Sequence, residues 1–310
     1  MKPFRKNVAI AIDGGGIRGV MVAEALSVLE SYLNKPSSEI FGLATGTSTG
    51  SIIASGIGAG FSAREMVDRY VEMGDCIFSN SFRKILFPLS RYRYSDENLV
   101  YALDHNFGNL IMSDFWNKDS PIDVVLTAYD LKENRTRFIK SWKKKYASWP
   151  VKFAVQASCT VPTYFPIVAN RYIDGGVGSY GNPCYVAAYE AKECLKWDLK
   201  ETTLISIGTG RFPEKFDEEK IEKLPPWAWI AKSVDIFMQS AYDQQVQLVR
   251  NHYPDIDFRR FQVDLCENIP MDNVKKMDLL IEYGLEMGVE IIWDMYDNPI
   301  EEPEKVQQNK

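Results

Sequence analysis

The chain has 310 residues, 45% of them hydrophobic, and its 36 Lys plus Arg against 42 Asp plus Glu leave a net charge of −6. This balance excludes a protein that coats nucleic acid through its overall field. The odd set Cys76, Cys159, Cys184, Cys194 and Cys266, with no C-x-x-C, argues against a disulfide framework or a cysteine zinc site and for free thiols in a reducing compartment. The basic start MKPFRK precedes an apolar run, Val8 to Ile12, shorter than the ~7–15 residues of a signal-peptide core. No stretch approaches the ~18 continuous apolar residues of a membrane span. An intracellular, soluble protein is expected, one that can still meet a membrane surface.

Val8 to Ile12 shows no alternation and stops at Asp13-Gly14-Gly15-Gly16, as a strand buried on both faces would. Val22, Leu26, Leu29 and Leu33 then fall at helical spacing, ended by Asn34-Lys35-Pro36. Phe41 to Thr45 reads as a second strand, and residues 49–60, rich in Ala, Ile and Gly, as a closely packed helix. Strand, turn and helix, twice over, begin a parallel α/β sheet. Met66, Tyr70, Met73 and Ile77 sit at helical spacing. Residues 122–130, 135–142 and 202–210 read as further strands, and 273–293 as an amphipathic helix with Met277, Leu280, Ile281 and Leu285 on one face. There is no internal repeat or low-complexity linker. The expectation is one domain over residues 1–297, followed by a polar tail, 298–310.

Three glycine turns carry the chemistry. "DGGGIRG", Asp13 to Gly19, lies between a predicted strand and helix, where consecutive glycines and a helix N-terminus can hold a phosphate or a transient oxyanion. Gly14, Gly16 and Gly19 also satisfy G-x-G-x-x-G. The acidic residue that a dinucleotide site wants has only Glu39 as a candidate, and Glu39 precedes the second strand. No Gly-Lys-Ser/Thr follows, which excludes a P-loop. "GTSTG", Gly46 to Gly50, puts Ser48 at a strand-to-helix turn. Ser48 is either the nucleophile of an elbow or the cap of a tight turn. A nucleophile needs a base. His105, at a predicted helix end, and His252, before a proline, both sit where surface or capping histidines sit. Asp174, in "RYIDGGVGSYGNP", follows a short apolar strand and precedes Gly175-Gly176. A shielded carboxylate there can act on a serine directly.

D-G-G-G-I-R-G, G-T-S-T-G and D-G-G, in that order, resemble the patatin-like phospholipase family. The likeness runs from about residue 8 to 210, includes "VQASCTVPTYFPIV" (155–168), and continues into "FRRFQVDL" (258–265), with a helical part over 225–297. It implies a three-layer α/β/α domain with a mostly parallel sheet. It implies an acyl hydrolase of phospholipase A type that uses a Ser48–Asp174 dyad without histidine, cofactor or metal. By resemblance, the amides of Gly15 and Gly16 form the oxyanion hole and Arg18 supports that loop. Asp13, Gly14, Gly19, Gly46, Gly50, Gly175 and Gly176 complete the motifs. Many relatives carry Asn-Asn-Pro after the aspartate turn, where this chain has Gly181-Asn182-Pro183.

The substrate implied is a phospholipid or another acyl lipid, with peripheral membrane contact and a small-molecule activator, such as a signal nucleotide, left open. An esterase of small soluble esters and a non-catalytic binding module are the alternatives. "CIFSNSFRKILFPLSRYRY" (76–94) mixes apolar and basic residues, as a lipid-touching surface does and as a loop covering the core also can. "LPPWAWIAKS" (224–233) reads as a lid or as a proline-started packed helix.

Overall fold

The computed structural model describes residues 2–78, 82–87, 89–116, 121–213 and 225–296. The expected tail, 298–310, lies outside them. Seven strands form one sheet: β1 (Asn7–Ile12), β2 (Leu43–Gly46), β3 (Asp123–Asp130), β4 (Arg135–Lys140), β5 (Tyr172–Asp174), β6 (Thr202–Ile207) and β7 (Asp257–Phe261). The order is β4-β3-β2-β1-β6-β7, with β5 also paired to β3. The pairings from β3 through β2, β1 and β6 to β7 are parallel, and β4 and β5 run antiparallel to β3.

Ten helices are described: α1 (Gly19–Leu33), α2 (Ser37–Ile40), α3 (Thr49–Ala59), α4 (Ala63–Ile77), α5 (Phe82–Leu86), α6 (Glu97–Phe107), α7 (Val151–Cys159), α8 (Cys184–Tyr189), α9 (Pro226–His252) and α10 (Met277–Met295). The period of two in β1 divides them into layers. Val8, Ile10 and Ile12 face a core shared with α1, α3, α4, α6, α7 and α10. Ala9 and Ala11 face a second core capped by α8 and the end of α9. The unbroken apolar run of β1 is therefore explained by helices on both sides, and the architecture is the expected α/β/α sandwich.

α4 matters most for the site. Ser62 accepts from the Glu65 amide at 3.2 Å while Glu65 accepts from the Ser62 amide at 2.8 Å, a capping box that starts the helix. Met66, Tyr70, Met73 and Ile77 are all buried, as their spacing predicts. In α10 the predicted face needs one correction. Met277, Leu280, Tyr283, Met287 and Ile291 are buried, but Leu285 is exposed. The stripe facing α1 follows the 3.6-residue period through Gly284 and Gly288 and leaves position 285 on the outside.

Candidate active site

The turns after β1, β2, β5 and β6 meet at one edge of the sheet, where α/β proteins place their ligands. Ser48 ends the β2 turn as the residue before α3, with φ 54 and ψ −126. Such a conformation costs a non-glycine residue about 1–3 kcal/mol and persists only when its surroundings enforce it. Here α7 and α3 hold both sides of the residue. The Ser48 amide donates to Ser158 Oγ at 3.0 Å, and the Ser48 carbonyl accepts from Ser51 Oγ at 2.6 Å and Cys159 Sγ at 2.9 Å. The Thr47 hydroxyl bonds the Thr127 hydroxyl and the Tyr180 carbonyl, each at 2.6 Å, tying the elbow to the aspartate turn.

Asp174 closes β5 and is buried. Its amide donates to the Thr160 carbonyl at 3.0 Å, and its Oδ1 accepts from the Gly176 amide at 2.7 Å. Burial pushes its carboxyl from 3.8 up to about 6, against the opposing pull of the Ser48 hydroxyl and the Gly176 amide. Ser48 is thus near enough to bias the carboxylate, although the buried Oδ2 makes no hydrogen bond of good geometry. The structure brings Ser48 and Asp174 together. It brings neither histidine to them: His105 stacks on Tyr101 in the last turn of α6, and His252 meets Tyr185 at 3.3 Å.

The glycine loop is fastened on all sides. The Asp13 amide donates to Ile207 O at 3.0 Å, that of Gly14 to Gly181 O at 2.9 Å and that of Ile17 to Met271 O at 3.0 Å. The Gly14 carbonyl accepts from Thr209 Oγ1 at 2.6 Å. Between these anchors the amides of Gly15 and Gly16 donate to no acceptor among the described residues. Gly16 has φ +62, and a Cβ there would stand 2.3 Å from the Met271 carbonyl. No other residue type holds this turn without moving it. A Cβ on Gly14 would lie 3.1 Å from Ser48 Cβ, so the loop passes directly against the nucleophile candidate. The Arg18 side chain donates to the carbonyls of Gly15, at 3.3 Å, and Gly210, at 3.4 Å. Gly19 abuts Thr49 and Tyr70, Gly46 abuts Gly50, and Gly175 abuts Thr127, each at a distance that leaves no space for a side chain.

Asp13 does not face the reaction space. It is fully buried in a bidentate pair with Arg260 of β7, with contacts of 2.9 and 2.6 Å. Burial raises the Asp13 carboxyl and Arg260 pulls it back. Arg260 also donates to Ser206 Oγ at 2.8 Å. The Gly181 departure has a local cause. The ring of Tyr242, from α9, fills the space beside it, and a Cβ at 181 would come within 1.9 Å of Tyr242 Cε1. Asn182 instead turns inward, its Oδ1 accepting from the Cys184 amide at 3.0 Å.

An apolar cavity of about 570 Å³, part of it open to solvent, runs from Ser48 and Gly16 between α3, α4 and the 161–165 segment. Ile52, Met73, Ile77, Leu99 and Phe165 are among its walls. Tyr94 packs against Phe78, Tyr164 and Phe165 beside it, and its hydroxyl donates to Asp272 at 2.7 Å. Lys84 and Arg93 also converge on Asp272, at 2.9 and 3.9 Å. So two of the basic residues expected at a lipid surface are partnered inward, while Ile85, at 78% exposure, Leu86 and Leu89, at 88%, stand outward. The side chains of Phe82, Arg83 and Trp227 lie outside the described residues. α9 does begin at a proline, and Trp229, Ile236 and Phe237 on it are exposed. No described helix is long and apolar enough to cross a membrane, and no cluster of three or more His, Cys, Asp or Glu among the described residues is arranged to hold a metal.

Sequence reasoning did not single out Ser158, Thr209, Arg260 or Tyr242. Only Arg260 carried a signal: two arginines between Phe258 and Phe261 are unusual in a short buried strand.

Human calcium-independent phospholipase A2-gamma is 27% identical to this chain over 302 residues, covering 89% of it but 37% of the relative. Patatin-17 from Solanum cardiophyllum is 24% identical over 339 residues, covering 94% of this chain and 84% of the relative. Among solved structures, VipD from Legionella pneumophila superposes with a TM-score of 0.49 at 11% identity, over 94% of this chain and 67% of that one. The chain thus spans little more than a third of the human phospholipase and most of the plant protein. The model of patatin-like phospholipases matches residues 10–188. A match running from inside β1 to the end of α8, through all three glycine turns and over more than half of the chain, places this protein in the patatin-like phospholipase family.

Proposed function

We propose that the protein is a lipid acyl hydrolase that cleaves fatty acyl esters of phospholipids or glycolipids, with Ser48 as nucleophile and Asp174 as its base. The observation that carries this reading is the placement of a buried carboxyl, raised to about 6, against a strained serine at the head of an apolar cavity. A carboxylate with that value is ionised at neutral pH yet more basic than an exposed one.

Asp174 takes the Ser48 hydroxyl proton as Ser48 Oγ attacks the ester carbonyl. The amides of Gly15 and Gly16, which donate to no acceptor among the described residues, meet the oxyanion. Collapse of the tetrahedral adduct expels the alcohol, a lysolipid when the substrate is a phospholipid, and Asp174 returns the proton to it. Asp174 then deprotonates a water that attacks the acyl-serine, and the fatty acid leaves as Ser48 recovers its proton. Every proton passes through Asp174, so the cycle needs no cofactor.

The acyl chain lies along the cavity walls, and the head group stays outside. Ile85, Leu86 and Leu89 are exposed, as is Arg91 nearby in the chain, and they enter the lipid surface from which the substrate is drawn. The human relative's being a phospholipase A2 supports a phospholipid substrate.

Labelling with a serine-reactive fluorophosphonate tests the nucleophile, the adduct being mapped by peptide mass. Modification confined to Ser48 and abolished by prior acylation is expected. Labelling unchanged in Ser48→Ala would refute the assignment.

A further inference from the structure

The cavity beside Ser48 has a neighbour. Behind it lies a second, much smaller apolar chamber, lined by Phe61, Met66 and Phe107 among others, with free room for about one methyl- or water-sized group while Met73 stays in place. Ile52, Tyr70 and Met73 line both spaces and form the partition between them. These three are not equally free to move. The Tyr70 hydroxyl is pinned by the Thr49 hydroxyl at 2.6 Å and the Thr49 carbonyl at 2.8 Å. Ile52 is branched at Cβ and stiff at χ1. Met73, less than one helical turn from Tyr70 on α4, is an unbranched thioether that changes rotamer at small cost. The far end of the second chamber is closed by Arg69, whose guanidinium lies 4.2 Å above the Phe61 ring and donates to Asn106 Oδ1 at 2.7 Å.

We propose that the second chamber is a subsite for the methyl end of a long acyl chain, and that Met73 is the movable partition that sets which chain lengths fit. The inference rests on the acyl hydrolase reading. An acyl group held at Ser48 has apolar wall on one continuous path, and that path reaches Met73. A chain that fits the first cavity stops there. A longer one displaces the thioether and extends under α4 to the Arg69–Asn106 closure. The chamber is apolar enough to remain dry until then, and it offers little to a polar ligand.

The test is the ratio of kcat/KM for p-nitrophenyl palmitate to that for p-nitrophenyl octanoate, in wild type, Met73→Ala and Met73→Phe, with Ser48→Ala as the control. Met73→Phe should lower the ratio about tenfold or more, the discrimination a displaced methylene produces in an apolar pocket, and Met73→Ala should raise it. Met66→Phe fills the second chamber from its far side and should also lower the ratio, which keeps the test valid if Met73→Phe does not fold. Palmitate and octanoate affinities of the Ser48→Ala protein, with and without Met73→Phe, give a readout independent of turnover, and only palmitate binding should weaken. A ratio unmoved in folded variants, with turnover still dependent on Ser48, would overturn this inference alone. Turnover equal in wild type and Ser48→Ala would remove the hydrolase reading and this one with it.

Discussion

Asp174→Asn should separate stability from reactivity. Asparagine matches aspartate in shape, keeps an acceptor for the Gly176 amide, and puts an amide nitrogen where Oδ2 now lacks a partner. The carboxyl rises from 3.8 to about 6 on folding. At about 1.36 kcal/mol per pH unit, the ionised form therefore costs the native state about 3 kcal/mol. The folded value lies above the unfolded one, so the native state binds the extra proton. The favourable contribution is complete below about pH 3.8 and is lost as pH rises through 6. Urea unfolding of wild type and variant at pH 5 and pH 8 measures it. The variant should be the more stable at pH 8, by up to about 3 kcal/mol, with the gap falling to about half of that at pH 5, and it should hydrolyse no ester at either pH. A variant less stable than wild type at pH 8, or a gap that ignores pH, would refute the claim that Asp174 is a desolvated carboxylate.

Further predictions follow the same geometry. In wild type, kcat/KM should rise with pH through a midpoint of about 6 as Asp174 ionises, and stopped assays on a soluble ester will locate it. Ser158→Ala leaves the buried Ser48 amide without its acceptor and should cost about 1–3 kcal/mol of stability, with kcat falling more than KM changes. Gly16→Ala drives a methyl into the Met271 carbonyl and should lower kcat by about 10²–10³, the usual loss when one oxyanion donor is misplaced. Arg260→Ala strands a buried Asp13 and should destabilise the fold by about 3–5 kcal/mol, measured by denaturant unfolding, whereas the Asp13→Asn, Arg260→Met double variant should recover much of it.

What was legible in the sequence followed from local constraint. Val8 to Ile12 had to be doubly buried because it neither alternates nor contains a charge, and the α4 spacing named the residues that now wall the cavity. The three glycine turns announced themselves because tight backbone passage leaves no other residue choice. What was not legible depends on long-range meeting. Ser158 and Arg260 lie 110 and 247 residues from their partners Ser48 and Asp13, and nothing local marks such a pair. The basic residues of 76–94 were misleading as a group: Lys84 and Arg93 are drawn to Asp272, 188 and 179 residues on, while Ile85, Leu86, Leu89 and Arg91 between them are exposed. The odd glycine at 181 made sense only once the ring of Tyr242 was seen beside it.

The proposed hydrolysis of lipid acyl esters by Ser48 with Asp174 has a direct test. The most direct measurement is fatty-acid release from vesicles of a mixed-chain phospholipid, with products identified by mass, in wild type, Ser48→Ala and Asp174→Asn. A free fatty acid and a lysophospholipid are expected from wild type and neither from the two variants. Release by Ser48→Ala equal to that by wild type would contradict it.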